Sequence, residues 1–183
     1  MARVFAVCGM PGSGKGEFAA VLTEANVPIV SMGDMVRAEV RSRGLEEAPH
    51  VFGEVAADLR ANHGDDVLAV RLCLTVDQLL DAHERVLIEG LRGTAEHEIF
   101  QQRWGSKYET VAIVAESERR FERIQQRGRS EDGDRAAFET RNHREIGWGL
   151  DRLIASADHT LDNNHPLSVF KKECARWMDE HFQ

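Results

Sequence analysis

Residues 4–18 read VFAVCGMPGSGKGEF, an apolar run followed by a glycine-rich turn and the beginning of a helical pattern. The spacing G-x-x-x-x-G-K is typical of a loop that binds phosphate between a strand and a helix. Its glycines let the backbone turn its N–H groups toward one point, and the helix N-terminus and the lysine add positive charge. We therefore predict a nucleotide-binding loop rather than an empty turn, formed by Gly9, Met10, Pro11, Gly12, Ser13, Gly14, Lys15, Gly16 and Glu17.

The rest of the chain alternates apolar runs with helical patterns. Its apolar runs are RVFAVCG, VPIVSMG, RVLIEGL, YETVAIVA and HTLDN. Because helical patterns separate these runs, we expect an α/β fold of the P-loop NTPase type, with a five-stranded parallel sheet between two layers of helices. We expect one domain over residues 1–183, with a helical acceptor-binding region at about 33–84 and a short lid at about 127–137.

Composition restricts the classes of protein and partner. The chain has 183 residues, a formal net charge of −8 and three widely spaced cysteines. The negative charge argues against a general nucleic-acid-binding protein, and no apolar run is long enough for a transmembrane helix. The cysteines give neither a disulfide nor a zinc pattern. With no signal-peptide pattern, we expect a cytoplasmic protein whose partner is a small nucleotide, with no membrane or nucleic acid bound.

The glycine-rich loop resembles that of adenylate kinases, whose usual pattern is G-x-P-G-S/A-G-K-G-T. Gly16 is usual in that family, whereas Glu17 stands at the place of the family's Thr. A carboxylate near a phosphate site repels the anion unless it points away or meets a cation. We interpret Glu17 as a first-turn acid that the helix dipole favours, with a contact to a Mg²⁺-bound water as the alternative.

A second stretch, VSMGDMVRAEV at residues 30–40, resembles the S-T-G-D-M-L-R segment of adenylate kinases. The resemblance implies that this segment lines the acceptor site and that Arg37 holds the acceptor's phosphate, a bidentate role that suits a guanidinium. Met32 stands where that family has a Thr near the acceptor base. A capped amphipathic helix with a solvent-facing arginine is the other interpretation. The matching residues are Ser31, Gly33, Asp34, Met35 and Arg37.

The third apolar run ends in Glu89 and is followed by Arg92. An acid at the end of this strand holds Mg²⁺ in P-loop proteins, directly or through water. We therefore predict Glu89 as a metal ligand, with Asp34 as a second one, and Arg92 as a group that binds the acceptor's anion. A structural carboxylate that caps a helix or a sheet edge is the alternative for Glu89.

Eight arginines lie close together between residues 119 and 144. Phosphoryl transfer concentrates negative charge on the moving group, and positioned cations stabilise that charge. The four that flank the lid are our catalytic candidates, namely Arg127, Arg129, Arg141 and Arg144. About half of the eight are expected to lie on a solvated helix face instead, Arg119 and Arg120 first.

The stretch SADHTLDNNHPLSVFKKEC near the C-terminus resembles the closing pattern of dephospho-coenzyme A kinases. In that family the turn after the last strand lies against the donor adenine, which implies this position for Asn163. Together with PGSGKGE, EGLR and REIGWGLDRLIASAD, the chain resembles a small archaeal-type P-loop family related to adenylate and dephospho-coenzyme A kinases. This resemblance implies ATP and Mg²⁺ as cofactors.

Several functions fit these residues. The first is phosphoryl transfer from ATP to a small phosphorylated acceptor such as a nucleoside monophosphate. The second is transfer to a hydroxyl group, as in dephospho-coenzyme A kinases, with Asp34 as the base that a hydroxyl acceptor requires. The third is an ATPase stimulated by a protein partner, or a nucleotide-binding switch without turnover.

Overall fold

A computed structural model describes residues 3–128 and 133–182 of the chain. Its sheet has five parallel strands, as the alternation of patterns predicts. The strands are β1 Val4–Cys8, β2 Ile29–Ser31, β3 Val86–Glu89, β4 Tyr108–Val114 and β5 His159–Asp162. Their order across the sheet is β2-β3-β1-β4-β5. Val4 of the central strand is level with Val86 on one side and Tyr108 on the other.

Helices cover both faces of this sheet. The α-helices of the described ranges are α1 Lys15–Glu24, α2 Met32–Ser42, α3 Pro49–His63, α4 Val67–Leu80, α5 Thr94–Trp104, α6 Ser117–Arg127, α7 Arg135–Gly147, α8 Leu150–Ala155 and α9 Leu167–His181. A short 3₁₀ helix, Gly105–Lys107, precedes β4. None of the helices in the described ranges is both long and apolar enough to cross a lipid bilayer.

The central strand is buried on both faces. Val4, Ala6 and Cys8 belong to one apolar cluster with α2 to α5 and α8. Phe5 and Val7 belong to a second cluster with α1 and α9. Successive side chains of a strand point to opposite faces, so a fully apolar β1 is what a sheet covered on both sides requires.

Helix ends agree with the turn residues of the sequence. α6 ends at Arg127, and Gly128 follows with φ +58° as a left-handed cap. α7 ends at Gly147 and α8 begins at Leu150, so the helical pattern is interrupted between these two residues. The region expected at about 33–84 contains α2, α3 and α4; its role in acceptor binding stays a prediction.

The predicted lid, at about 127–137, overlaps the beginning of α7. This helix begins at Arg135, and the Asp134 side chain accepts a hydrogen bond from the Ala137 N–H and caps it. The lid itself stays a prediction. Residues 129–132, including Arg129, lie outside the described residues.

The sequence patterns missed α5. Its sequence, TAEHEIFQQRW, has few apolar residues and so shows no clear helical stripe. It docks through Phe100, which is fully buried, with its ring centroid 5.4 Å from that of Trp104 and 5.9 Å from that of Tyr108. This docking matters for the site because α5 follows directly after the loop that carries Arg92.

We predict that Phe100→Ala lowers the free energy of unfolding by about 3–5 kcal/mol, because it leaves a cavity where the ring packs. Gln101→Ala, at an exposed position of the same helix, is the matched control and should change it by less than about 0.5 kcal/mol. Urea unfolding measures both. A loss below about 1 kcal/mol for Phe100→Ala would show that α5 is not part of the core.

Candidate functional site

The glycine-rich loop joins the end of β1 to the beginning of α1. Gly12 and Gly14 have φ values of +80° and +107°, which residues with a side chain rarely adopt. A Cβ on Gly12 would lie 2.5 Å from the carbonyl oxygen of Arg120, and a Cβ on Gly14 would clash with the amide nitrogen of Asn163. The glycines are therefore needed both for the turn and for close packing against neighbouring segments.

Side chains from α6 and from the turn after β5 hold the outer side of this loop. Arg120 donates to the Pro11 carbonyl at 3.0 Å. Asn163 donates through Nδ2 to the Ser13 carbonyl at 2.8 Å, and Arg123 donates to the Asn163 carbonyl at 2.7 Å. Asn163 itself is 3% exposed. These hydrogen bonds hold the loop against α6 and the turn after β5.

Our expectation that Arg120 lies on a solvated face is wrong. It is buried, and it also donates to Ala115 and Asn142 at 3.2 and 3.1 Å. Its guanidinium lies 5.2 Å from the ring centroid of Phe138, and burial lowers the pKa of Arg120. Arg119 is exposed, as expected.

Lys15 lies at the centre of the site. Its Nζ donates to the carbonyls of Gly9 and Met10, at 2.5 and 3.2 Å. The pKa of Lys15 is lowered to about 8, mainly by burial; Arg92 and Arg141 contribute to the lowering, whereas Glu145 and Cys8 oppose it. A bound anion would therefore stabilise the charged form of this buried ammonium.

A cavity of about 900 Å³ opens beside the loop. It brings together much of the predicted site, namely Pro11, Gly12, Gly14, Lys15, Gly16, Glu17, Glu89, Arg92, Arg127, Arg141 and Asn163. Its wall also contains residues that the sequence did not single out for this role, namely Arg123, Ile124, Gln126, Glu145 and Leu167. Gly9, Met10 and Ser13 complete the loop. The predicted residues Ser31, Gly33, Asp34, Arg37 and Arg144 are not among the described residues that line it.

Glu89 is the last residue of β3, level with Val7 of β1 and Ser31 of β2. Its carboxylate thus reaches the cavity from the carboxyl end of the sheet. Mg²⁺ is usually held by one or two carboxylates together with substrate phosphates and water, which fits Glu89 beside Lys15. Within the described ranges, no three His, Cys, Asp or Glu side chains form a metal-binding group.

Ser31 and Asp34 form the cap of α2. The Ser31 N–H donates to Oδ2 of Asp34 at 2.9 Å, and the Asp34 N–H donates to Oγ of Ser31 at 3.3 Å. Oδ1 of Asp34 pairs with Arg37, beside Gly33 in the first turn. Both carboxylate oxygens of Asp34 therefore have structural partners.

The remaining predicted residues are placed as follows. Glu17 lies in the first turn of α1, with its carboxylate 3.9 Å from the ammonium of Lys171, so it meets a cation as our interpretation requires. Arg127 reaches the cavity from the end of α6. Arg144 is exposed, with its guanidinium 5.5 Å from the ring centroid of Trp148.

Two buried acids at the site escaped the sequence analysis. Glu145 is 2% exposed, and its Oε1 lies 3.2 Å from Nε of Arg141 and 3.7 Å from Nη1 of Arg92. Glu96 accepts from the backbone N–H groups of Arg92 and Gly93 at 3.0 and 3.1 Å, and burial raises its pKa. The sequence offered one signal for Glu145: it is an acid on the buried side of a helical pattern, four residues after Arg141.

The sequence of this chain is similar to that of known proteins over most of its length. The model of an AAA domain family matches residues 8–139. A UPF0200 protein of Methanosarcina barkeri is 36% identical over 183 residues, which cover 99% of this chain and 97% of that protein. The chain belongs to the UPF0200 family. The prediction of a small archaeal-type P-loop family is thereby confirmed.

Solved structures share the fold of this UPF0200 protein. TT1252 from Thermus thermophilus has a TM-score of 0.58 at 21% identity, with 98% of each chain covered. A sugar kinase from Janibacter sp. HTCC2649 has a TM-score of 0.60 at 13% identity, with 98% of this chain and 95% of that one covered. At these identities the likeness shows the fold alone.

The loop fits the triphosphate of a nucleotide. Oγ of Ser13 is buried and has no hydrogen-bond partner within the described part of the chain, so a polar atom inside the loop is left to be satisfied. Gly12 and Gly14 leave no room for side chains. Among the described residues, the hydrogen-bond acceptors of the Lys15 ammonium are two neutral carbonyls, and a phosphate is a stronger partner.

We predict that Asn163→Ala destabilises the protein by about 1–3 kcal/mol and weakens ATP binding, because the buried Ser13 carbonyl loses a donor. Asn164→Ala is the control, since Asn164 bonds to Glu116 and Asp162 near the surface and should leave ATP affinity unchanged. Thermal unfolding and calorimetric titration measure the two effects. Equal ATP affinities in the two variants would show that the Asn163 side chain does not hold the loop in its binding conformation.

We also predict a pH dependence of ATP binding in this UPF0200 protein. Unbound Lys15 loses its proton above a pKa of about 8, whereas a bound phosphate favours the charged lysine and raises its pKa. The Kd for ATP should therefore rise between pH 7.5 and 9.5, by up to about tenfold per pH unit. Lys15→Gln should bind weakly with a flat profile, and a constant wild-type Kd over this range would contradict the prediction.

Proposed function

We propose that this protein transfers the γ-phosphoryl group of ATP to a small phosphorylated acceptor, with nucleoside monophosphates as the first class to test. One observation carries the proposal: the phosphate loop with Lys15, the strand-end Glu89 and the arginines Arg92 and Arg141 line one cavity of about 900 Å³. Phosphoryl transfer needs mainly positioning and cationic groups around the moving phosphate. A cavity with this lining offers both.

The donor side consists of the loop and the residues beside it. Lys15 and the loop N–H groups would hold the β- and γ-phosphates, and Glu89 would hold Mg²⁺ directly or through water. Bound ATP and Mg²⁺ together supply the transferable phosphoryl group and part of the charge neutralisation. Asn163, Arg120 and Arg123 keep the loop in its shape, so that little rearrangement is needed when the nucleotide binds.

The acceptor side consists of arginines. Arg92 and Arg141 both line the cavity, and their side chains are 43% and 25% exposed. A guanidinium matches the geometry of a phosphate and keeps its charge at every physiological pH. Arg127 adds a further cation to the wall, where it would neutralise charge that develops during transfer. Arg37 is proposed to hold the acceptor from α2.

The surroundings of Asp34 favour a phosphate over a hydroxyl as the accepting group. A phosphate acceptor is ionised near neutral pH and needs no base, whereas a hydroxyl acceptor gains from a positioned carboxylate. Asp34, our candidate base, already has the Ser31 N–H and Arg37 as partners. These contacts support a structural role for Asp34 and thus the phosphate acceptor.

The test is to incubate the protein with Mg²⁺ and γ-labelled ATP, and with AMP, CMP, UMP, GMP, dephospho-coenzyme A or no acceptor. We expect the label on a nucleoside monophosphate. Lys15→Ala should lower transfer at least about 100-fold, because a charged donor to the moving phosphate is lost. Arg119→Ala, at an exposed position, should leave transfer unchanged.

Other results would identify the alternatives. Label on dephospho-coenzyme A, with a loss of about 100-fold or more in Asp34→Asn, would show hydroxyl transfer with Asp34 as the base. Label released only as phosphate, at one rate in every tube, would show an ATPase. For a phosphate acceptor, Asp34→Asn should change kcat less than about threefold.

A further inference from the structure

Glu145 is a buried acid in the wall of a strongly cationic cavity. It lies on α7 with 2% of its side chain exposed. The same wall contains Lys15, Arg92, Arg123, Arg127 and Arg141. Burial of a carboxylate costs free energy unless the group is paired and hydrogen-bonded.

Among the described residues, the two ion-pair partners of Glu145 come from the acceptor side of the proposed site. Arg141, one turn earlier on α7, donates from Nε to Oε1 at 3.2 Å. Arg92, in the loop after β3, approaches the same oxygen with Nη1 at 3.7 Å. One carboxylate oxygen thus joins two guanidinium groups that are distant in sequence. Without it, two like charges would face each other across the wall and repel.

Glu145 and the two arginines share the cavity wall but differ in exposure. Glu145 is almost completely buried, whereas the side chains of Arg92 and Arg141 are substantially exposed. A guanidinium has five N–H donors, so a contact with one oxygen of Glu145 does not prevent either arginine from also donating to an anion in the cavity. This arrangement differs from one in which the acid occupies the anion's own position.

We propose that Glu145 is a positioning residue of the acceptor site, whose buried carboxylate holds Arg92 and Arg141 so that both face one phosphate group. The inference rests on the proposed function, since it assigns the two arginines to a phosphorylated acceptor. Glu145 does not touch the reacting groups; it acts through the arginines. Glu96 supports the same arrangement by fixing the backbone of Arg92.

Glu145→Gln tests this role, because it keeps the size of the side chain and removes its charge. With the acceptor that the labelling assay identifies, we expect the KM for the acceptor to rise about 10- to 100-fold. The KM for ATP should change less than threefold at pH 6.5, where Lys15 keeps its proton. Glu139→Gln, at an exposed position of α7, is the matched control and should leave both KM values unchanged.

A second background separates positioning from a general structural effect. In a protein that already carries Arg92→Ala and Arg141→Ala, Glu145→Gln should change the acceptor KM less than twofold, because the groups through which Glu145 acts are gone. A full additional loss in that background would overturn the proposal. A tighter acceptor KM in the single Glu145→Gln variant would also overturn it, because the carboxylate would then compete with the acceptor.

Arginine side-chain NMR gives a readout that needs no acceptor. The Nε–H signal of Arg141 should be sharp and slow to exchange in the wild type and in Glu139→Gln, and should broaden in Glu145→Gln. Glu145→Asp retains the charge, so it should fall between the two. An unchanged Arg141 signal in Glu145→Gln would overturn the positioning role even if transfer is observed. If the wild type labels no acceptor, the proposed function fails, and this signal alone decides whether Glu145 orders the arginines.

Discussion

The carbonyl groups of the phosphate loop impose the constraint on which the rest of the site depends. A loop that offers its N–H groups to a phosphate leaves its carbonyls for other donors, and buried carbonyls without donors are costly. Here the Pro11 carbonyl accepts a hydrogen bond from Arg120, and the Ser13 carbonyl accepts one from Asn163. The carbonyls of Gly9 and Met10 accept from the Lys15 ammonium. The loop is thus held by α6, by the turn after β5 and by its own lysine, which explains why its glycines pack so closely against these segments.

This constraint divides the arginines of the middle of the chain among different tasks. Arg120 and Arg123 brace the loop, whereas Arg127 lies in the wall of the cavity and Arg119 lies on the surface. From composition alone all eight resemble a cationic lid. Helical spacing carries the missing information, because residues 120, 123 and 127 share the face of α6 that also carries the buried Ile124.

The sequence predicts the parts of the molecule that depend on local patterns. The apolar run of β1 and the glycine spacing each determine their structure within a few residues, so the five-stranded parallel sheet and the strand–loop–helix turn are as expected. α5 was missed because a single residue, Phe100, carries most of its packing. Glu145 was missed because Arg92, one of its two partners, comes from a distant segment, and no periodicity relates the two. Asp34 was expected at the site on resemblance, and its cap contacts show a local role that the S-x-x-D spacing also permits.

Under the proposed function, backbone groups form the donor side of the cavity and side chains form the acceptor side, and this difference affects which substitutions change specificity. The donor side is formed by backbone groups whose conformation depends on glycines and on several braces, so most substitutions there disturb the fold. The acceptor side is formed by side chains, Arg92 and Arg141, that a buried carboxylate holds in place. Substitutions around such a pair can change the shape of the acceptor pocket while the loop stays intact. Under the proposed function, a single P-loop scaffold can therefore retain its nucleotide donor while substitutions around the arginine pair change its acceptor.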